Sequence, residues 1–210
     1  MSTPLNLRAI ASTLAAVAAA AALGACAPLI VGGAMVGGAL MVSDRRSSGA
    51  QVEDQAIELK ATGRIGEAIG DRGHVNVTSY NRMVLITGEV PTEADRVAVE
   101  QAISRIENVR AVVNELAVMG NSSLSARSND AILSGQVKAA FIDAKELQSN
   151  SLKVVTERGV VYLMGRVTER EAAMATERAR GVGGVLKVVR VFEIVTEAEL
   201  AEIQPKAPAK

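Results

Sequence analysis

The chain has 210 residues, and 23 Lys and Arg balance 23 Asp and Glu, so its formal net charge is zero. Neutral charge argues against nucleic-acid binding, because phosphate contacts need clustered positive charge. Aromatic residues make up only 2%, too few for stacking single-stranded bases. The one Cys and one His rule out an internal disulfide and a multi-cysteine zinc site, and leave little room for His-assisted nucleophilic catalysis. Composition therefore argues against most classes of enzyme, and we expect no catalytic residue, no metal ligand and no cofactor.

Residues 1–25 have the layout of an export signal. Arg8 provides positive charge, and an apolar, Ala-rich run follows it. The run ends in Leu23-Gly24-Ala25-Cys26, which resembles the bacterial lipobox, in which the Cys is acylated after cleavage. The alternative is an ordinary secretory signal with a chance Cys. The lipobox interpretation predicts an acylated Cys26, palmitate included, and each buried CH₂ adds roughly 0.8 kcal/mol to anchoring. Ala27, where Asp favours retention in the inner membrane, favours the outer membrane and its periplasmic face.

The segment after Cys26 is apolar but short. Residues 29–42 carry no charge, yet they number fewer than the roughly 20 needed to span a bilayer. Their glycine pairs have the small-residue spacing that permits close helix packing in membranes. The plainer interpretation is a flexible tether near the lipid surface, which turns polar at residues 43–51. We therefore assign 26–51 to a lipidated Cys with its tether.

The rest of the chain contains a sequence repeat, with one copy in residues 52–118 and the other in residues 129–195. Each copy opens with a helix that has a single apolar stripe, predicted to face a core. The stripes are Ile57, Ala61, Ile65 and Ala68 in the first copy, and Leu133, Val137, Phe141 and Ala144 in the second. Asp54 and Asp130 stand near the two starts as predicted N-caps. Residues 119–128 are predicted as a linker, and 196–210 as a disordered tail.

A β-hairpin, a second helix and a last strand complete each copy. Arg158-Gly159 suits a tight hairpin turn, and Asn81 can adopt positive φ in the first copy. Gly88 and Gly165, at the strand ends, indicate close backbone approach rather than a ligand contact. Thr168 begins a capping box for the second helix. The predicted fold is therefore α+β, with two α-β-β-α-β domains, each a three-stranded mixed sheet covered by two helices.

Two such repeats, each with strand-Gly-x-Val before a capped helix, resemble BON domains. The stretch VYLMGRVTEREA at 161–172 carries the resemblance most specifically, with support from SDRRSSGAQVED, VVNEL and SND. With the lipobox, the order of segments resembles the dual BON-domain outer-membrane lipoproteins of Gram-negative bacteria. That resemblance implies no catalytic residue and no metal. It also implies that the second BON domain binds anionic phospholipid through its first helix, and that the protein supports outer-membrane integrity, with localisation to division sites.

Helical geometry identifies a second apolar face on the helix that opens the second repeat. At 100° per residue, Ile132 and Ile142 point away from the core stripe, and lysines flank them. Apolar side chains beside lysines can enter a headgroup region while the ammonium groups meet lipid phosphates. The predicted lipid-binding residues are Ile132, Gly135, Lys138, Ala139, Ile142 and Lys145. The family's helix can carry a large aromatic where this chain has Ile132, so weaker binding is expected.

Two alternatives remain for that face: it docks on the first repeat, or it binds an envelope protein. The second would make the chain a scaffold for envelope-assembly or cell-wall-remodelling machinery. His74 is predicted to be an ordinary surface residue, since no Cys or second His can join it as a metal ligand. The charged residues of 169–180 are predicted to form a solvated helix face. The leading expectation is a non-enzymatic, lipid-anchored outer-membrane protein whose partner is anionic phospholipid.

Overall fold

The computed structural model describes residues 44–144 and 146–203. The first repeat consists of α1 (Ser48–Ile69), β1 (His74–Tyr80), β2 (Met83–Val90), α2 (Glu93–Ser104), β3 (Ala111–Asn114) and β4 (Ala117–Val118). The second consists of α3 (Leu124–Asp143), a 3-10 turn (Ser149–Ser151), β5 (Leu152–Glu157), β6 (Val160–Val167), α4 (Glu169–Arg180) and β7 (Lys187–Ile194). A last helix, α5 (Glu197–Ile203), follows.

Both repeats have the same sheet topology. In the first, β2 lies between antiparallel β1 and parallel β3, and β4 continues the β3 edge. In the second, β6 lies between antiparallel β5 and parallel β7. Both predicted stripes line a core, with Ile57, Leu133, Val137 and Phe141 among the buried residues. The predicted α+β fold with mixed sheets is confirmed.

The hairpins carry the predicted turn chemistry. Asn81 and Arg82 in one turn, and Arg158 and Gly159 in the other, all have positive φ. A Cβ on Gly88 would lie 1.9 Å from the carbonyl oxygen of His74, so a side chain there would break the β1–β2 pairing. The close backbone approach predicted for this glycine is confirmed. Thr168 and Glu171 form the predicted capping box of α4.

The predicted N-caps are wrong. The side chains that cap α1 and α3 are Ser47 and Ser123, so both helices begin six residues before the aspartates. Asp130 instead accepts the backbone N–H groups of Arg158 and Gly159, both at 2.8 Å. Asp54 accepts the two equivalent N–H groups of the first turn at 2.7 Å. Each aspartate thus joins its helix to the hairpin turn beneath it and satisfies donors that the sheet leaves unpaired.

Two segments predicted as irregular contain helix. Helix α3 begins at Leu124, so it includes the second half of the predicted linker at 119–128. Helix α5 occupies the start of the predicted tail, and Leu200 is buried there. Thr196 and Glu199 cap the start of α5, because each donates its backbone N–H to the side chain of the other.

The two sheets also pack against each other, which the sequence pattern did not predict. Their helix-free faces form a third apolar cluster, built on Tyr80, Leu85, Tyr162, Met164 and Val191. The central strands are therefore covered on both sides, by helices on one face and by the other sheet on the second. The two repeats form one body with two domain cores and a shared layer between them.

Among residues 44–144 and 146–203, no helix is both long enough and apolar enough to cross a membrane.

Candidate lipid-binding surface

The exposed face of α3 carries the residues predicted from the helical pattern. Ile132 and Ile142 are 61% and 68% exposed, and they stand about 15 Å apart along the helix axis. Gly135, Lys138 and Ala139 are exposed between them. The opposite side of the helix packs into the core, so this face has no structural role inside its own domain. It is also not covered by the first repeat, which excludes one of the alternatives for this surface.

A groove that the sequence pattern did not predict adjoins this face. Ile132 and Leu133 of α3 form one wall, and Gly184 and Leu186, from the loop before β7, form the other. Its volume is about 440 Å³, and Leu186 is 79% exposed. The last strand begins at Lys187, so Leu186 belongs to the loop before it. The glycines of the preceding loop leave the groove open, because they place no side chains in it.

The charge of the surface is mixed. Lys138 is exposed, but so are Asp143 and Glu146 near the end of the helix. Two predicted residues, Cys26 and Lys145, lie outside the described residues. The described part of the face is therefore mainly an apolar surface, with one flanking cation and two anions near the end of the helix.

The corresponding surface of the first repeat is different. Asp54 and Asp130 make the same turn contacts, so positions 76 residues apart correspond on α1 and α3. Ile132 and Ile142 then correspond to Ala56 and Gly66. On the strand side, Leu186 and Arg110 both donate their backbone N–H to the hairpin turn, so Leu186 corresponds to Arg110. The first repeat thus lacks all three large apolar residues of the surface, although α1 exposes Val52 and also Leu59, which corresponds to Gly135.

The chain that precedes α1 is held on the second repeat. The guanidinium of Arg45 donates two hydrogen bonds to the carboxylate of Glu171, both at 2.7 Å, and one to the carbonyl of Arg166 at 2.8 Å. It also contacts Gln148, just beyond the end of α3. Burial favours a raised pKa for Glu171, but the bonds from Arg45 and from the backbone of Thr168 outweigh it and lower the pKa. Arg45, the second of the described residues, therefore lies near the C-terminal end of α3.

This architecture defines a protein with two BON domains. The family model for the BON domain matches residues 53–120 and again residues 129–196, which together make up more than half of the chain. The chain therefore belongs to the BON domain family.

Among curated proteins, the chain is similar to "Outer membrane lipoprotein DolP" of Haemophilus influenzae, with 34% identity over 171 residues. The match covers 80% of this chain and 88% of that protein. It is also similar to "21 kDa hemolysin" of Actinobacillus pleuropneumoniae, with 29% identity across 72% of this chain and 79% of the relative. Among solved structures, the C-terminal domain of CdsD from Chlamydia trachomatis covers 64% of this chain and 96% of its own. The two chains are 8% identical, with a TM-score of 0.29.

Proposed function

We propose that the protein is a non-enzymatic outer-membrane lipoprotein, anchored through Cys26, that binds anionic phospholipid through the exposed face of α3. The observation that carries the proposal is the apolar surface of Ile132, Ile142 and Leu186, which no described part of the chain covers. Surface helices of soluble domains normally present polar residues there. An apolar strip with a flanking lysine suits insertion into the headgroup region of a membrane.

The position of Arg45 supports the same orientation. Arg45 is held beside Gln148, so the start of the described chain lies near the end of the helix that carries the apolar face. Lipidation of Cys26 would then keep the second domain, rather than the first, close to the membrane that holds the anchor. The curated relative named an outer-membrane lipoprotein supports the anchor and its location. A role in outer-membrane integrity, including at division sites, is part of the proposal through the family resemblance.

The anchor has a direct test. Cells that express the chain and receive labelled palmitate should incorporate the label into the wild-type protein, whereas Cys26→Ala should incorporate none. Label retained by the variant would show that Cys26 is not the acylated residue, and the ordinary secretory signal would then be the better interpretation.

The lipid site is tested by vesicle binding of a soluble form, residues 43–210, which keeps every contact described above. If each Ile buries about half its apolar area in lipid, the pair contributes on the order of 2 kcal/mol, or about 30-fold in the dissociation constant. We therefore expect the double variant Ile132→Asp, Ile142→Asp to lose at least that much affinity for vesicles of phosphatidylglycerol and phosphatidylethanolamine. Lys138→Ala should lose less, and its loss should shrink as salt is added.

The first repeat offers a matched control. Val52→Asp, Leu59→Asp adds the same two charges at exposed apolar positions of α1. It should keep wild-type affinity, because these residues lie outside the proposed surface. If the folded α3 double variant bound like wild type, or if both double variants lost affinity equally, α3 would not be the lipid site. The scaffold alternative, in which this face docks an envelope protein, would then lead.

A further inference from the structure

The sole histidine lies between two buried glutamates where the repeats meet. His74 opens β1 and stands opposite Glu89 of β2, while Glu157 comes from the end of β5 in the second repeat. One ligand atom from each of the three residues lies within 4.8 Å of the other two. Glu89 is fully buried and Glu157 is 3% exposed. The sequence predicted an ordinary surface histidine, because no Cys or second His can join it. The fold instead brings two carboxylates beside it.

The histidine has an unsatisfied nitrogen on the inside of this cluster. Its Nδ1 atom is buried, and it has no hydrogen-bond partner among the described residues. The nearest carboxylate oxygen, Oε2 of Glu89, is 3.5 Å away. That separation is long for a hydrogen bond. It matches the roughly 3.3–3.6 Å between two ligand atoms that share one tetrahedral zinc ion at 2.0–2.2 Å.

The surroundings hold the carboxylates in place. Arg158 donates to Oε1 of Glu89 at 2.9 Å. Oε2 accepts the backbone N–H of Ser122 at 3.2 Å and is the oxygen that lies toward the histidine. Asn76 donates to Oε2 of Glu157 at 3.0 Å and leaves Oε1 free of that bond. Such hydrogen bonds to the distal oxygens are typical of carboxylates that bind metals.

The cluster is also reachable from solvent. A cleft of about 270 Å³ reaches two of its three residues, His74 and Glu157, and is also lined by Asp130 and Arg127. A hydrated cation can enter by this route and exchange water for ligands. With Glu157 as the third protein ligand, water would be the fourth.

We infer that Nδ1 of His74, Oε2 of Glu89 and Oε1 of Glu157 bind one divalent transition-metal ion, of which Zn²⁺ is the best match. An imidazole with two carboxylates suits zinc and its neighbours better than Mg²⁺ or Ca²⁺, which take oxygen ligands. Two ligands come from the first repeat and one from the second. The ion therefore joins the two BON domains beyond their apolar contact, and it stabilises only the docked arrangement.

The single histidine makes the test specific to one residue. The full chain is purified in detergent, stripped of metal with a chelator, and labelled with ¹⁵N in the histidine ring. One equivalent of Zn²⁺ should shift the Nδ1 resonance, complete the shift at a 1:1 ratio and raise the melting temperature. One equivalent of Mg²⁺ should do neither. An Nδ1 resonance that does not respond to Zn²⁺, or that shows a protonated imidazolium paired with Glu89, would overturn the inference.

Two variants separate this site from adventitious binding. Glu157→Gln keeps the size of the side chain and an acceptor for Asn76, but it should weaken Zn²⁺ binding by at least about tenfold. Glu177→Gln is the matched control, because Glu177 is an exposed glutamate paired with Arg180 on α4. It should leave the Zn²⁺ affinity unchanged. Equal losses in both variants, or none in a folded Glu157→Gln, would contradict the site, and the wild-type titration decides the matter if that variant does not fold.

Discussion

Replacing Arg45 by Ala should destabilise the whole two-domain body, although the residue precedes the first helix. The side chains of Arg45 and Glu171 are only 2% and 7% exposed, and they share two hydrogen bonds of 2.7 Å. Removing one partner of a buried ion pair typically costs about 3–5 kcal/mol, because the remaining charge stays buried without compensation. Here Glu171 keeps the backbone N–H of Thr168, so we expect the lower end, about 3 kcal/mol.

The measurement is urea unfolding of residues 43–210. The chain has no Trp, but Tyr80 and Tyr162 are buried between the sheets and report on the docked body. A background of Glu171→Gln isolates the charge, since Gln also completes a capping box. There Arg45→Ala should cost much less, with a coupling free energy of about 1–3 kcal/mol between the two sites. A loss within about 0.5 kcal/mol for the single variant, the size of an ordinary surface substitution, would refute the reasoning.

The same pair predicts how stability depends on pH. The pKa of Glu171 is lower in the folded protein than its ordinary value of 4.5. The pair therefore contributes its full stability above that ordinary value, and the contribution is lost as the pH falls through the lowered folded pKa. Arg45→Ala should flatten this acid limb of the stability curve. If the variant lost stability at acidic pH as the wild type does, a group other than Glu171 would be responsible for that loss.

Two further predictions concern the fold. Asp130→Asn should lower the free energy of unfolding by about 1–3 kcal/mol, because Asn has one acceptor oxygen where the two oxygens of Asp130 each accept a turn N–H. Glu67→Gln, in an exposed ion pair, is the control and should change it by no more than about 0.5 kcal/mol. Urea unfolding measures both, and equal effects would contradict the turn contact. Residues 120–203 alone should unfold at a lower urea concentration than residues 43–210 and should bind a dye for apolar surface, because the isolated domain exposes Tyr162 and Met164. Each side chain that becomes fully exposed lowers the free energy of unfolding by on the order of 1.5–3 kcal/mol. Equal stability of the two chains would show that the shared layer contributes nothing.

Local pattern was enough to predict the repeat and its elements. The apolar stripes, the hairpin turns and the capping box at Thr168 all depend on residues close together in the chain, and the structure contains each of them. The layer between the sheets was missed, although β6 offered a signal. Its residues VVYLM lack the alternation of a half-exposed strand, and a continuous apolar run is typical of a strand buried on both faces.

The polar contacts could not be predicted in the same way. Asp130 contacts a turn 28 residues later, and Arg45 contacts a glutamate 126 residues away. A polar residue near a helix start is explained equally well by a cap, by a surface position or by a distant partner, and only the tertiary structure decides among them. For the same reason, the sequence did not predict which residues surround His74, since the two glutamates come from two different strands.

Helix α3 combines three roles on separate faces, which is why its proposed function can be tested without unfolding the domain. Val137 and Phe141 face the core, Asp130 faces the hairpin turn, and Ile132 and Ile142 face solvent. A charge at Val137 has no partner in the core and should unfold the domain. A charge at Ile132 or Ile142 meets water, so the fold is retained and only contacts with an outside partner change. Loss of vesicle binding with an unchanged melting curve therefore assigns the apolar face to the membrane rather than to the fold.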